Sequence, residues 1–174
     1  MNRWHFLAFL ILVLGIPWMW ANRVPAEAKT DFSVPQPALD HPAPDFTLTT
    51  LDGEEFALSA QQGTPIVLNF WATWCGPCQN EMPALQTASE RFGGRVQIVG
   101  VDQGETAEVV ARFAEEMGIT FAMPIDTEMA VGELYGVRAM PTTFFIDRNG
   151  VIRHIYLGEM NSVTIAEGIA EILR

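Results

Sequence analysis

The two cysteines of this chain form a Cys75-Gly76-Pro77-Cys78 pair, which lies between an apolar run and a helical pattern. Two thiols at this spacing can close a small disulfide ring and open it again. A bridge across two residues constrains little of the unfolded chain, so it stabilises the fold only slightly. Two cysteines are also too few for a disulfide scaffold or for a tetrahedral zinc site. The pair therefore favours thiol chemistry, and an inert structural disulfide is the alternative.

A predicted helix begins at Pro77, between the two cysteines, since proline is favoured in the first turn of a helix. Unpaired N–H groups and the helix dipole favour an anion there, and in Cys-x-x-Cys motifs the thiol pKa falls from about 8.5 to ~3.5–7.5. We therefore expect Cys75 to attack a substrate disulfide as a thiolate. Cys78, one turn further along and more buried, is expected to resolve the mixed disulfide.

Glu81 lies three residues beyond Cys78, so a helix projects both side chains from the same face. A carboxylate at this place can accept the proton that Cys78 must lose before it attacks. The alternative is an ordinary solvated acid, which the helix dipole also favours near a helix start.

The N-terminus has a basic start and then an apolar segment from Trp4 to Ala21, the pattern of a secretory signal. This segment has the length of a short transmembrane helix, so a retained anchor and a cleaved signal peptide over residues 1–21 are both open. In either case the pattern predicts that the folded part is exported. Residues 22–44 contain five prolines and no apolar period, which predicts an extended tether.

Acidic residues outnumber basic residues by 21 to 10, which gives a formal net charge of −11. Nucleic-acid binding depends on neutralising phosphates with Lys and Arg, so this charge argues against a nucleic-acid partner. The three histidines, His5, His41 and His154, are far from the cysteines in sequence. We expect them to be tail or surface residues, and we expect no metal site.

Residues 45–174 carry the pattern of one α/β domain. Apolar runs at 65–72 and 96–101 flank the helix that follows the cysteines, and such a strand–helix–strand unit predicts two parallel strands. Asp-Gly and Asn-Gly turns at 52–53 and 149–150 predict two hairpins. The other predicted elements are a helix at 106–117, a short strand at 121–125, a short helix at 128–135 and a last helix at 162–173.

Two motifs in this domain are highly specific when they occur together. One runs from Asn69 to Cys78 as Asn-Phe-Trp-Ala-Thr-Trp-Cys-Gly-Pro-Cys, and the other runs from Gly136 to Phe144. The further matching positions are Pro83 and the segments 43–46 and 147–150. Over residues 42–174 the chain resembles the thioredoxin superfamily, and within it the exported TlpA/ResA-like reductases.

The resemblance implies a thioredoxin-like α/β fold, in which helices flank a central mixed sheet. The first predicted hairpin would be an N-terminal β-hairpin extension of this fold. The segment between Val101 and Phe121 matches a helix-strand insertion of the exported branch, and cytosolic thioredoxins lack that insertion. The chain would then consist of a signal or anchor over 1–21, a Pro-rich tether over 22–44 and a thioredoxin-like domain over 45–174.

The resemblance further implies a substrate-binding surface around the disulfide. Pro141 is expected to be cis and to face the disulfide, and Met140 is expected to offer backbone hydrogen bonds to an extended substrate. The alternative for Met140 is a gap-filling core residue. Thr142 and Trp74 complete this surface, and Trp74 either shields the thiols or contacts the substrate.

Two polar residues also match the exported branch of the family. Glu81 matches the active-site glutamate of ResA-like proteins, which favours its role in proton transfer. Asn69 stands where cytosolic thioredoxins carry a buried aspartate, and the glutamate can substitute for that aspartate.

The dipeptide Gly76-Pro77 between the cysteines resembles that of reducing thioredoxins, so we expect a reductase of protein disulfides. We expect no cofactor beyond the redox-active Cys75–Cys78 disulfide. By analogy with the family, electrons come from a membrane thiol carrier of the CcdA or DsbD type and pass to oxidised exported proteins, with apocytochrome c as the favoured substrate. We expect an extracytoplasmic monomer, anchored in the cell membrane or, after cleavage of a signal, periplasmic or secreted.

Two other functions are open at this point. A peroxiredoxin-like peroxidase shares the Ala43-Pro44-Asp45-Phe46 opening, but it needs a threonine three residues before its cysteine, and Thr73 lies two residues before Cys75. A copper-delivery domain would use the thiolates as soft ligands for Cu(I). The copper carriers of this fold separate their cysteines by three residues and add a histidine, whereas His154 here lies on a predicted strand.

Overall fold

A five-stranded mixed sheet is built around the apolar run that precedes the cysteines. In this computed structural model, which describes residues 4–5 and 31–174, every residue of that run is buried. From one edge of the sheet to the other, the strands are β5 (Ile125–Asp126), β4 (Gln97–Gln103), β3 (Ile66–Trp71), β6 (Thr142–Ile146) and β7 (Ile152–Leu157). β3 is parallel to β4 and antiparallel to β6, so the predicted parallel pair is confirmed.

Helices cover the sheet because its central strands are apolar on both faces. The α-helices of residues 31–174 are α1 (Gly76–Phe92), α2 (Ala107–Met117), α3 (Ala130–Leu134) and α4 (Ser162–Ile172), and a short 3-10 helix lies at Leu58–Gln61. Met82 of α1 and Ile169 of α4 pack into one core cluster with Val67 and Trp71 of β3. The opposite face of the sheet contributes Phe70 to a second cluster, which α3 closes. The predicted thioredoxin-like arrangement of helices around a mixed sheet is confirmed.

The hairpin extension and the central insertion are both present. β1 (Thr47–Thr49) and β2 (Glu55–Ala57) pair antiparallel before the main sheet begins. The insertion consists of α2, which ends at the left-handed Gly118, and the short strand β5. The strand predicted at 121–125 is wrong in its bounds, because Ala122 forms only an isolated bridge to Val99 and Pro124 has no N–H to donate.

The tether predicted over residues 22–44 does not extend to residue 44. The Asp40 N–H donates to the Ile152 carbonyl, and the Ile152 N–H donates to the His41 carbonyl. His41 is only 3% exposed, and its ring lies 5.0 Å from that of Phe32, so the prediction of a surface histidine is also wrong. The last residues before the hairpin are therefore part of the domain.

The predicted signal or anchor over 1–21 lies outside the described residues, apart from Trp4 and His5. Residues 22–30 of the predicted tether lie outside them as well. In the part of the chain that the structure describes, no helix has both the length and the apolar character needed to cross a membrane.

Candidate active site

The cysteine pair lies at the start of α1, shortly after the end of β3, as the sequence predicts. Cys75 and Cys78 form a disulfide, with 5.2 Å between their Cα atoms. Cys75 immediately precedes α1, and its sulfur accepts a hydrogen bond of 3.3 Å from the Cys78 N–H. Cys75 is 6% exposed and Cys78 is fully buried. The sulfur at the helix start is therefore the more accessible of the two, and it lies where backbone N–H groups favour a thiolate.

Glu81 is buried on the inner face of α1, so the interpretation as a solvated acid is wrong. The Asn69 side-chain amide donates to Oε1 of Glu81 at 2.8 Å, and the Met160 N–H donates to Oε2 at 2.9 Å. Loss of solvation on burial raises the pKa of Glu81 to about 7, although these two hydrogen bonds favour the carboxylate. A carboxyl group with this pKa can take up and release a proton near neutral pH.

The loop before β6 contains Met140 and Pro141, which the resemblance assigns to the substrate-binding surface. The Met140–Pro141 bond is cis, as the resemblance implies. Met140 is half-buried and packs against the core cluster that contains both cysteines. The Pro141 carbonyl accepts a hydrogen bond of 2.9 Å from the Gly158 N–H, which fixes the loop against the end of β7.

The two remaining predicted contact residues differ in exposure. Trp74 is 68% exposed beside Cys75, so it is available to a partner. Thr142 is 3% exposed, and its hydroxyl donates to the Ala139 carbonyl at 2.8 Å. The Thr142 side chain therefore shapes the loop from inside, whereas the Trp74 side chain is open to solvent.

The structure adds polar contacts that the sequence analysis did not predict. Asn69 donates through the same amide to the Thr143 hydroxyl at 2.9 Å, so β3 and β6 hold it in place for Glu81. Thr73, two residues before Cys75, donates twice to the carboxylate of Glu105. Thr73 and Glu105 are 32 residues apart, and no local pattern connects them.

His154, the histidine weighed as a copper ligand, lies on β7. Its Nδ1 is 3.7 Å from a carboxylate oxygen of Glu171 on α4, and its ring lies 5.8 Å from that of Phe145. These contacts join β7 to α4 and do not involve the cysteine pair. The site at the cysteines is therefore a disulfide with the buried carboxyl group of Glu81 on the same helix.

Comparison with known proteins agrees with this geometry. The profile of the AhpC/TSA family matches residues 39–155. The chain belongs to the AhpC/TSA family. The thiol-disulfide oxidoreductase ResA of Geobacillus thermodenitrificans is 40% identical to this AhpC/TSA-family chain over 136 residues, which is 78% of each protein.

Solved structures show the same relationship. A putative thiol:disulfide interchange protein DsbE from Chlorobium tepidum is 30% identical, with a TM-score of 0.71 over 76% of this chain and 96% of that one. A secreted disulfide oxidoreductase of Mycobacterium tuberculosis, described as homologous to E. coli DsbE, is 26% identical with a TM-score of 0.66 over 72% and 94%. This member of the AhpC/TSA family is therefore a thiol-disulfide oxidoreductase with a thioredoxin-like fold, and Cys75 and Cys78 form a disulfide in it.

Proposed function

We propose that this oxidoreductase works as a reductase of protein disulfides outside the cytoplasm. The observation that supports it most is the buried carboxyl of Glu81, one helical turn beyond Cys78 and with a pKa of about 7. The resolving thiol must lose a proton in a site with almost no solvent, and Glu81 is a group that can accept it at neutral pH. The open surface beside Cys75 and the relatives named above support the same conclusion.

The reaction transfers two electrons from the dithiol to the substrate. The Cys75 thiolate attacks one sulfur of the substrate disulfide, a bond forms between them, and the other substrate sulfur leaves as a thiolate that takes a proton. Cys78 passes its proton to Glu81 and attacks the Cys75 sulfur. The Cys75–Cys78 bond then forms, the mixed disulfide breaks, and the second substrate thiolate leaves. The substrate is reduced, and the protein ends in the oxidised form of the present structure.

The substrate segment is proposed to lie between Trp74 and the cis-proline loop. An extended chain there can form backbone hydrogen bonds with Met140, next to Pro141, while its side chains contact the exposed indole of Trp74. Aromatic surfaces of this kind supply large contact areas at low entropic cost. Thr142 supports this loop through its bond to the Ala139 carbonyl.

The direction of electron flow is proposed from the Gly76-Pro77 dipeptide, which resembles that of reducing thioredoxins. Thioredoxin and the oxidant DsbA differ by roughly 150 mV, which is ~7 kcal/mol for a two-electron couple. A reductase outside the cytoplasm needs a source of electrons, and we propose a membrane thiol carrier of the CcdA or DsbD type. The substrates are proposed to be oxidised exported proteins, including the Cys-x-x-Cys-His site of apocytochrome c.

The location is proposed from two observations. Residues 1–21 have the pattern of a signal or membrane anchor, and the related Mycobacterium tuberculosis oxidoreductase is described as secreted. An anchored domain of this kind acts on disulfides that form after export, where oxidising conditions prevail.

Two measurements test the proposal. The midpoint potential of the Cys75–Cys78 couple is expected to lie near the thioredoxin value of about −270 mV, whereas a value near −120 mV would identify an oxidant. The Cys78→Ser variant, expressed in the native host, is expected to accumulate mixed disulfides between Cys75 and exported proteins, with apocytochrome c among them. The Cys75→Ser variant is the matched control, since it lacks the attacking thiol. Rapid peroxide consumption by Cys78→Ser would favour a peroxidase instead.

A further inference from the structure

Thr73 holds the loop that presents Trp74 and Cys75. Its N–H and its hydroxyl each donate to one oxygen of the Glu105 carboxylate, both at 2.6 Å. Its carbonyl accepts from the side-chain amide of Gln79 at 2.5 Å. All three polar groups of Thr73 are therefore bound, and two of the three depend on Glu105. The loop carries the attacking sulfur, so its position depends on that carboxylate.

Asp102 is a second buried acid directly behind this contact. It lies on β4 opposite Trp71 and is fully buried. One of its oxygens, Oδ1, accepts the N–H of Glu105 at 3.1 Å, while Oδ2 has no hydrogen-bond donor among the described residues. Burial and the adjacent Glu105 carboxylate raise the pKa of Asp102 to about 8. Two carboxyl groups this close cannot both be ionised at low cost, so the pair retains one proton.

The hydrogen bonds show which acid holds that proton. Both oxygens of Glu105 accept short bonds from Thr73, as an ionised carboxylate does. The proton therefore lies on Asp102, whose side chain shares a hydrogen bond with that of Glu105. We propose that Asp102 and Glu105 act together as positioning residues of the redox loop: Glu105 holds Thr73, and the proton on Asp102 keeps Glu105 in place.

The other charged groups around Asp102 are engaged elsewhere or exposed. Glu81 of α1 accepts from Asn69 and Met160. The carboxylate of Asp126 on β5 accepts two backbone N–H groups of α3. Glu108 and Arg112 of α2 are exposed. Among the described residues neither Asp102 nor Glu105 forms an ion pair. Loss of the Asp102 proton therefore leaves two adjacent negative charges, and the hydrogen bonds between Glu105 and Thr73 weaken.

The first test follows Thr73 in the oxidised protein, in which the cysteines do not titrate. The ¹³C methyl resonance of Thr73 is expected to shift in one transition near pH 8 in the wild type. The transition is expected to vanish in Asp102→Asn, because an amide donates to Glu105 at every pH. It is expected to persist in Glu81→Gln, which removes the other buried carboxyl, and in the surface control Glu108→Gln. The proposal is overturned if the Thr73 resonance of the wild type shows no transition near pH 8. It is also overturned if the transition is unchanged in Asp102→Asn.

The second test measures disulfide reduction, and it depends on the proposed attack by Cys75. Glu105→Gln loses one charge-assisted bond to Thr73, so kcat/KM is expected to fall about tenfold. Thr73→Ser keeps both donors to Glu105, so its kcat/KM should stay near that of the wild type. Thr73→Val lacks the hydroxyl donor, so its kcat/KM should fall several-fold. The kcat/KM of Asp102→Asn should equal that of the wild type at about pH 7 and should be about threefold higher than that of the wild type at about pH 9.

The two tests separate the positioning role from the reaction itself. If the wild type does not reduce the substrate disulfide while the Thr73 titration remains, the proposed chemistry at Cys75 is wrong and the positioning role stands. If the wild type reduces the substrate but Asp102→Asn keeps the wild-type pH profile, or Glu105→Gln is as fast as the wild type, the positioning role is wrong.

Discussion

At the scale of single residues, Glu81 connects the redox site to the stability of the fold through its proton. Its pKa is raised to about 7 in the folded protein by burial, against an ordinary value of about 4.3 in an unfolded chain. Between these two pH values the folded state binds more protons than the unfolded state. The free energy of unfolding therefore falls as pH rises through this window, and it falls no further once the pH is above the pKa of Glu81 in the folded protein.

Replacing Glu81 with Gln should remove this pH dependence. The free energy of unfolding of Glu81→Gln, relative to the wild type, is expected to rise by roughly 3 kcal/mol between about pH 4.3 and pH 7. Urea unfolding of the oxidised protein across this range measures the difference. Glu90→Gln removes an exposed carboxyl from the same helix and is the matched control. This account of Glu81 would be contradicted if Glu90→Gln gave an equal rise in the free energy of unfolding relative to the wild type. It would also be contradicted if the value for Glu81→Gln, relative to the wild type, fell as pH rises.

At the scale of elements, the start of α4 is fixed by a side chain. The Asn161 side-chain oxygen accepts the N–H groups of Val163 and Thr164 at 2.9 and 3.0 Å. Asn161→Ala leaves these two donors without that acceptor, so it should lower the free energy of unfolding by about 1 kcal/mol. The melting temperature should fall by about 2–4 °C.

The control for this prediction is the start of α2. Thr106 holds the equivalent position there, but its side chain forms no capping hydrogen bond. Thr106→Ala should therefore cost less than about 0.5 kcal/mol. Equal losses at the two helix starts would mean that the Asn161 side chain does not stabilise α4.

The elements themselves could largely be predicted from the sequence, because their signals are local. The apolar run of β3, the proline at the start of α1 and the Asn149-Gly150 turn each determine a nearby piece of backbone. The contacts that complete the site are not local. The Met160 N–H reaches Glu81 from 79 residues away, and Glu105 reaches Thr73 across 32 residues. A single sequence has no period that marks such tertiary hydrogen bonds, and the same holds for the pairing of Asp40 with Ile152.

At the scale of the whole molecule, charge should influence which substrates arrive quickly. The chain carries a formal net charge of −11. The exposed carboxylate of Glu159 accepts a hydrogen bond of 3.1 Å from the side chain of Asn80, two residues after Cys78 on α1. A negative field of this kind accelerates the encounter with positively charged partners and slows it with acidic ones.

Salt should therefore slow the reduction of a basic protein disulfide. The second-order rate constant is expected to fall about tenfold as ionic strength rises from about 0.01 M to about 0.3 M, because the Debye length shrinks from about 30 Å to less than about 8 Å. Reduction of neutral 2-hydroxyethyl disulfide is the control, and its rate should change less than about twofold since no net charge is attracted. Stopped-flow measurements with both substrates on the same reduced sample give the comparison. If the basic protein and the neutral disulfide respond equally to salt, the acidic surface does not steer substrates to Cys75.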